Sequence, residues 1–150
     1  MKKIINGKKY DTDTAREVAH VEAIPEGDRS ARYEETLYQK RTGEYFLYGW
    51  GGALSRYANI SSTGGMSPGR KFIPLTFEQA RDWGERNLSV DDYEAEFGEC
   101  SEDGSTSPIM LNLPTSARAA LDREASRTGK SRAAIVAALI EGMDTGRGAE

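Results

Sequence analysis

Residues 109–142, IMLNLPTSARAALDREASRTGKSRAAIVAALIEG, decide how the whole chain is organised. Ile109, Leu111 and Leu113 alternate with Met110 and Asn112, which gives a strand one apolar face and leaves the other free to touch something else. Pro114 ends that strand, and Thr115 or Ser116 can cap a helix in which Ala117, Leu121 and Ala125 recur every fourth residue. Gly129 is placed to end this helix and Ser131 to cap a second. There Ile135, Leu139 and Met143, joined by Val136 and Ile140, make an apolar face too broad for one short helix to hide. The expectation is a module over residues 108–143 that folds by pairing with a second copy. Its contact residues are Ile109, Leu111, Leu113, Leu121, Ile135 and Leu139.

Working outward, the nine residues ECSEDGSTS at 99–107 are small, polar and acidic, with no apolar periodicity to drive burial. Residues 100–107 read as a flexible acidic linker and 144–150 as a disordered tail. Residues 1–99 then form a separate domain, and with 150 residues in all neither part can build a large core alone. The single cysteine, Cys100, excludes an intrachain disulfide as the missing support. The basic start Lys2-Lys3 leads only to Ile4-Ile5, too short for a secretory segment, so the expected location is cytoplasmic.

The front domain reads as a mixture of helices and strands. Asn6-Gly7 between two short apolar runs is a hairpin turn, and Asp13 or Thr14 is placed to cap a short helix through Ala15, Val18, Ala19 and Glu22. A second hairpin runs from Glu34 to Arg41 and from Glu44 to Tyr48. A two-residue Thr42-Gly43 loop would set Leu37 opposite Tyr48, Gln39 opposite Phe46 and Arg41 opposite Glu44. Lys71–Leu75 reads as a last strand, Thr76 with Gln79 as a helix-opening capping box, and Ser89 as the start of a further turn or two through Tyr93 and Phe97. The whole is expected to be α+β, a small hairpin and helix domain followed by the pairing module.

Charge restricts the partners. The net charge is −4, but residues 108–150 hold six basic and five acidic groups, so residues 1–107 carry 14 basic and 19 acidic ones. An acidic front half suits a protein partner better than a phosphate backbone. Two basic patches stand out against it, Lys40-Arg41 at a hairpin tip and Arg70-Lys71 after a glycine-rich loop. Each is a candidate contact for nucleic acid or another partner, with Tyr38, Tyr45 and Tyr48 nearby to stack on a single strand; solvated positions beside core aromatics are the plainer alternative. The lone histidine, His20, has no second histidine or cysteine at ligand spacing, and Gly49-Trp50-Gly51-Gly52 lacks the lysine of a phosphate loop and reads as turn glycines. Asp91, Asp92, Glu94 and Glu96 lack the spacing of a calcium loop. No catalytic residue, metal site or cofactor is expected.

Strand, helix, glycine turn and helix in this order resemble the ribbon-helix-helix family of Arc, MetJ and CopG type. The resemblance implies a dimer whose two strands form an antiparallel ribbon in the DNA major groove. It assigns base contacts to Met110 and Asn112, and a phosphate to the helix start at Ser131 and Arg132. Pro108, Met110 and Asn112 stand where family members usually carry lysine, arginine, threonine or glutamine, and only Asn112 offers a bidentate contact, to adenine.

MKKIINGKKYDTDTA, ETLYQKRTGEYFLYGWGG and PLTFEQARDWGERNLSVDDYEAEFGE, spread over residues 1–99, resemble a small-domain family that recurs in plasmids, conjugative elements and phages of Gram-positive bacteria. Some of its members are anti-CRISPR proteins. That resemblance implies a non-enzymatic inhibitor of a CRISPR effector, Cas9 or its guide-RNA complex, and assigns no functional residue. The alternative is a ribbon-helix-helix repressor or antitoxin-like regulator bound to operator DNA.

Overall fold

The computed structural model describes residues 1–106 and 108–148 and divides the chain into two compact units, residues 1–110 and the residues from 111 onward. The architecture is mixed α and β. Unit 1 opens with β1 (Lys2–Ile5) and β2 (Lys8–Asp11), joined by Asn6 and Gly7 at φ 51° and 76°, the left-handed pair that an Asn-Gly hairpin turn requires.

The next segment overturns an expectation. The residues read as a capped helix form β3 (Arg16–Ala23), and His20 therefore lies on a strand. Ala19, Val21 and Ala23 point to one side and His20 and Glu22 to the other, the period of a half-buried strand, with a bulge between Glu17 and Ala19. Asp13 donates its N–H to the Asp11 carboxylate instead of opening a helix, and Ala15 closes a turn onto the Asp11 carbonyl. The local capping signal loses to a ladder running the length of the neighbouring strand.

That neighbour is β4 (Tyr33–Gln39), followed by β5 (Tyr45–Gly51) and β8 (Gly69–Leu75), which complete an antiparallel sheet in the order β3-β4-β5-β8. A small separate hairpin, β6 (Asn59–Ile60) and β7 (Met66–Ser67), precedes β8. The β4–β5 register differs by one residue from the sequence reading. Leu37 faces Leu47, Tyr38 faces Phe46 and Gln39 faces Tyr45, because the loop spans three residues and ends on Gly43 at φ 93°. Lys40 and Glu44 close the loop, their backbone bond being 2.8 Å and their side chains 3.0 Å apart, so Glu44 meets Lys40 rather than Arg41.

The slip puts Leu37, Tyr45 and Leu47 together on one sheet face. α1 (Phe77–Asn87) and α2 (Val90–Phe97) cover it with Ala80, Trp83 and Phe97. The expected capping box is present in both directions between Thr76 and Gln79, and Ser89 caps α2 through the Asp92 N–H. Pro108 and Met110 also belong to unit 1: Arg81 donates to the Pro108 carbonyl at 3.2 Å, and Met110 packs on the same core. The boundary between the units therefore falls inside the segment read as the ribbon strand.

Glu44 also accepts from Lys8, tying the β1–β2 hairpin to the sheet. The Lys8 and Lys40 ammonium groups hold its carboxyl below the usual carboxylate range. A depressed carboxylate stabilises the fold fully above the unfolded-state pKa, and that contribution disappears as pH falls through the folded value. Glu44→Gln is expected to lower the melting temperature at neutral pH, with the gap from wild type closing below about pH 4. A gap that persists in acid removes this account.

Unit 2 consists of α3 (Thr115–Thr128) and α4 (Arg132–Gly148). Pro114, not Thr115 or Ser116, sits at the N-cap of α3, with no side-chain cap. Gly129 ends α3 at φ 71°, and Ser131 accepts the Ala134 N–H at the start of α4. The second helix continues to Gly148, so residues 144–148, read as a tail, are helical. Residues 149 and 150, and Ser107 of the linker, lie outside the described residues.

Candidate functional site

Residues 111–114 form no ladder within one copy, and no described side chain of unit 2 is buried. Leu111 is 55% exposed, Leu139 65% and Met143 64%, while Leu121 and Ile135 are partly covered. Arg132 is tied to the Asp122 carboxylate at 2.6 Å. Ser131 is occupied as a cap and Asn112 is exposed. Of the two residues assigned to base contacts, Met110 packs against the unit 1 core. Ile109, also in unit 1, is 68% exposed.

The two basic patches separate in space. Lys40 is mostly covered, paired with Glu44 and lying 4.4 Å from the Tyr10 ring centre, which leaves Arg41 alone at the exposed turn. Arg70 and Lys71 are consecutive on β8 and project to opposite faces, as strand geometry demands. Arg70 reaches the Tyr48 hydroxyl at 3.4 Å, whereas Lys71 donates to the Arg56 carbonyl at 3.2 Å.

What strand pairing does assemble is the sheet face away from the helices. Across β3, β4, β5 and β8 one row reads His20, Thr36, Tyr48, Phe72, and the next reads Glu22, Glu34, Trp50, Arg70. Tyr38 continues the aromatic surface, stacked on a Phe46 that Tyr10 seals edge-on and that is fully buried. Tyr48 and Phe72 have ring centres 4.8 Å apart, and Arg32 lies 6.0 Å from the Trp50 ring while pairing with Glu22 at 2.8 Å and Glu34 at 2.6 Å. Tyr45, grouped with these aromatics in the sequence, is on the other face. It is buried and donates to Glu96 at 2.7 Å, and burial followed by that carboxylate pushes its phenol well above the ordinary value. Trp50, Phe72 and Arg32 were missed. The alternation of Phe46, Tyr48 and Trp50 along YFLYGWG was the signal for Trp50, readable only once the register is known.

No family model, curated protein or solved structure matches this chain. The site therefore stands on its own geometry.

Beneath the helices lies a buried carboxylate, Glu35, which accepts from the Trp83 indole at 2.7 Å and from Arg56 at 2.9 Å. Tyr57 is fully buried close by, and burial, then the Glu35 charge, pushes its phenol up. The arrangement joins α1, the sheet and residues 52–58, and its carboxylate is shut from solvent. His20 sits on the open sheet face 2.8 Å from the Thr36 hydroxyl. In the acidic run, Glu96 is bound by Tyr45 and by Arg16 at 2.6 Å. Among the described residues, no group of three or more histidine, cysteine or carboxylate side chains is placed to hold a metal ion, and no helix is long and apolar enough to cross a membrane.

Proposed function

We propose that this chain is a non-enzymatic, homodimeric inhibitor of a CRISPR effector, of the kind carried by phages and other mobile elements and acting in the cytoplasm. In this reading unit 2 pairs two copies as a ribbon-helix-helix and unit 1 makes the inhibitory contact. The observation that carries the dimer is the apolar surface of unit 2, where Leu111, Leu139, Ile140 and Met143 are all more than half exposed in a single copy. Such a surface on two short helices lacks a core until it is covered. The partner class, Cas9 or its guide-RNA complex, rests on the resemblance of residues 1–99.

The test is target-DNA cleavage by purified Cas9 with its guide, titrated with the full chain and with residues 1–110, since Pro108 and Met110 belong to unit 1. Both are expected to inhibit, the full chain at lower concentration because pairing adds avidity. Inhibition by neither, across several Cas9 types, removes the proposal and favours an operator-binding regulator. That second reading is supported by the helix–glycine–helix order of unit 2 and the exposed Asn112. It predicts a gel shift of the chain's own promoter DNA that Asn112→Ala abolishes. The packing of Met110 on unit 1 argues against it.

A further inference from the structure

We infer that the open face of the unit 1 sheet is a stacking platform for single-stranded nucleic acid, with Trp50, Tyr48 and Phe72 beneath the bases and Arg70 on the backbone. This gives unit 1 a ligand class. It rests on the binding-protein reading above and not on which effector is inhibited.

An antiparallel sheet covered by helices on one side ordinarily turns polar residues to water on the other. Here β5 and β8 place Phe46, Tyr48, Trp50 and Phe72 on the open side. Tyr10 seals Phe46, which is fully buried, but Tyr48, Trp50 and Phe72 stay partly exposed, and the Tyr48 and Phe72 rings adjoin with centres 4.8 Å apart. A ligand for adjacent rings held on a rigid strand pair has flat faces of its own. Bases meet that need without regard to sequence.

Charge selects nucleic acid over an apolar peptide. Residues 1–75, which form the hairpins and the sheet, carry twelve basic and nine acidic groups, whereas residues 76–99, which form the helices on the far side, carry two and eight. The helices behind the sheet thus carry the net negative charge of residues 1–99. On the aromatic face, Glu22 and Glu34 are both bound to Arg32 at the β3–β4 side, and Glu17 lies across from Tyr38, two rows away from Trp50. Arg70, on the β8 side, makes no ion pair among the described residues and donates to the Tyr48 hydroxyl. A phosphate beside Trp50 meets that guanidinium first.

The experiment is fluorescence anisotropy with labelled oligouridine and oligothymidine of about twelve nucleotides, a length that spans an ordinary single-strand site. The full-length protein is used at low salt. Binding in the micromolar range is expected, weakening as salt rises and accompanied by quenching of tryptophan emission, since Trp83 is buried and Trp50 is not. Arg70→Glu, at an exposed position, and Trp50→Ala, checked for retained secondary structure, are each expected to weaken binding about tenfold or more, with Arg70→Lys close to wild type. Absence of salt-dependent single-strand binding overturns the inference, as does binding that neither variant weakens or that prefers a duplex of the same length. Loss of Cas9 inhibition with oligonucleotide binding intact would count against the effector and leave the platform standing. The reverse result would place inhibition on another surface.

Discussion

Gly49→Val is expected to unfold unit 1 under conditions where the wild-type chain is folded. A Cβ at position 49 would lie 1.9 Å from Cζ of Tyr57 and 2.4 Å from its hydroxyl, far inside contact distance. The ring has no room to retreat, because Tyr57 is fully buried and the backbone around it is held by turns closing at Ser55 and Ala58. Its neighbour Arg56 is anchored on Glu35. Gly69 is equally constrained, since a Cβ there would stand 2.3 Å from the Tyr57 carbonyl. Overpacking a close-packed site costs about 1–3 kcal/mol, and a collision with a ring that cannot move belongs at or above the top of that range. Urea denaturation followed through Trp83 emission reads the loss. If Tyr57 is the cause, Gly49→Ala must cost much less in a Tyr57→Ala background, and equal costs in the two backgrounds would exclude this explanation.

These glycines show where sequence reading stops. Gly49 and Gly51 read as turn residues because they stand beside Gly52 in a glycine-rich stretch, but both lie within β5, where the approach of Tyr57 and Ser55 leaves no space for a side chain. Nothing near them in sequence announces that approach. The elements that were legible are those whose cause is local: the Asn6-Gly7 turn, the Thr76–Gln79 capping box, and Gly129 with Ser131 between the two helices. The elements that were not have a cause in another strand. Residues 16–23 carry a helix start signal and a strand alternation at once, and only pairing with β4 decides between them. The one-residue slip in the β4–β5 loop carried the same consequence further, moving Leu47 beside Leu37 and dividing the aromatics between a core face and an open face. Lys40 and Arg41, adjacent in sequence, were separated by the Glu44 that claims one of them.

Leu139→Asp is expected to abolish pairing and most of the helicity of α3 and α4. In one isolated copy this leucine is 65% exposed, so if unit 2 were complete by itself the change would be nearly silent, within about 0.5 kcal/mol like other surface substitutions. In a dimer that covers the α4 face, the same carboxylate would be buried without a partner, which costs several kcal/mol at each of two symmetric positions. The two outcomes differ widely in size, because a lone copy exchanges one exposed side chain for another while a dimer loses its core. Sedimentation at micromolar concentration should give twice the chain mass for the wild type and the single mass for the variant. The wild-type thermal transition of unit 2 should rise with protein concentration, as for any fold stabilised by association. Lys130→Ala, at an exposed position in the turn, should change neither. A Leu139→Asp chain that keeps the mass and helicity of the wild type would mean that the apolar face of α4 is not the pairing surface.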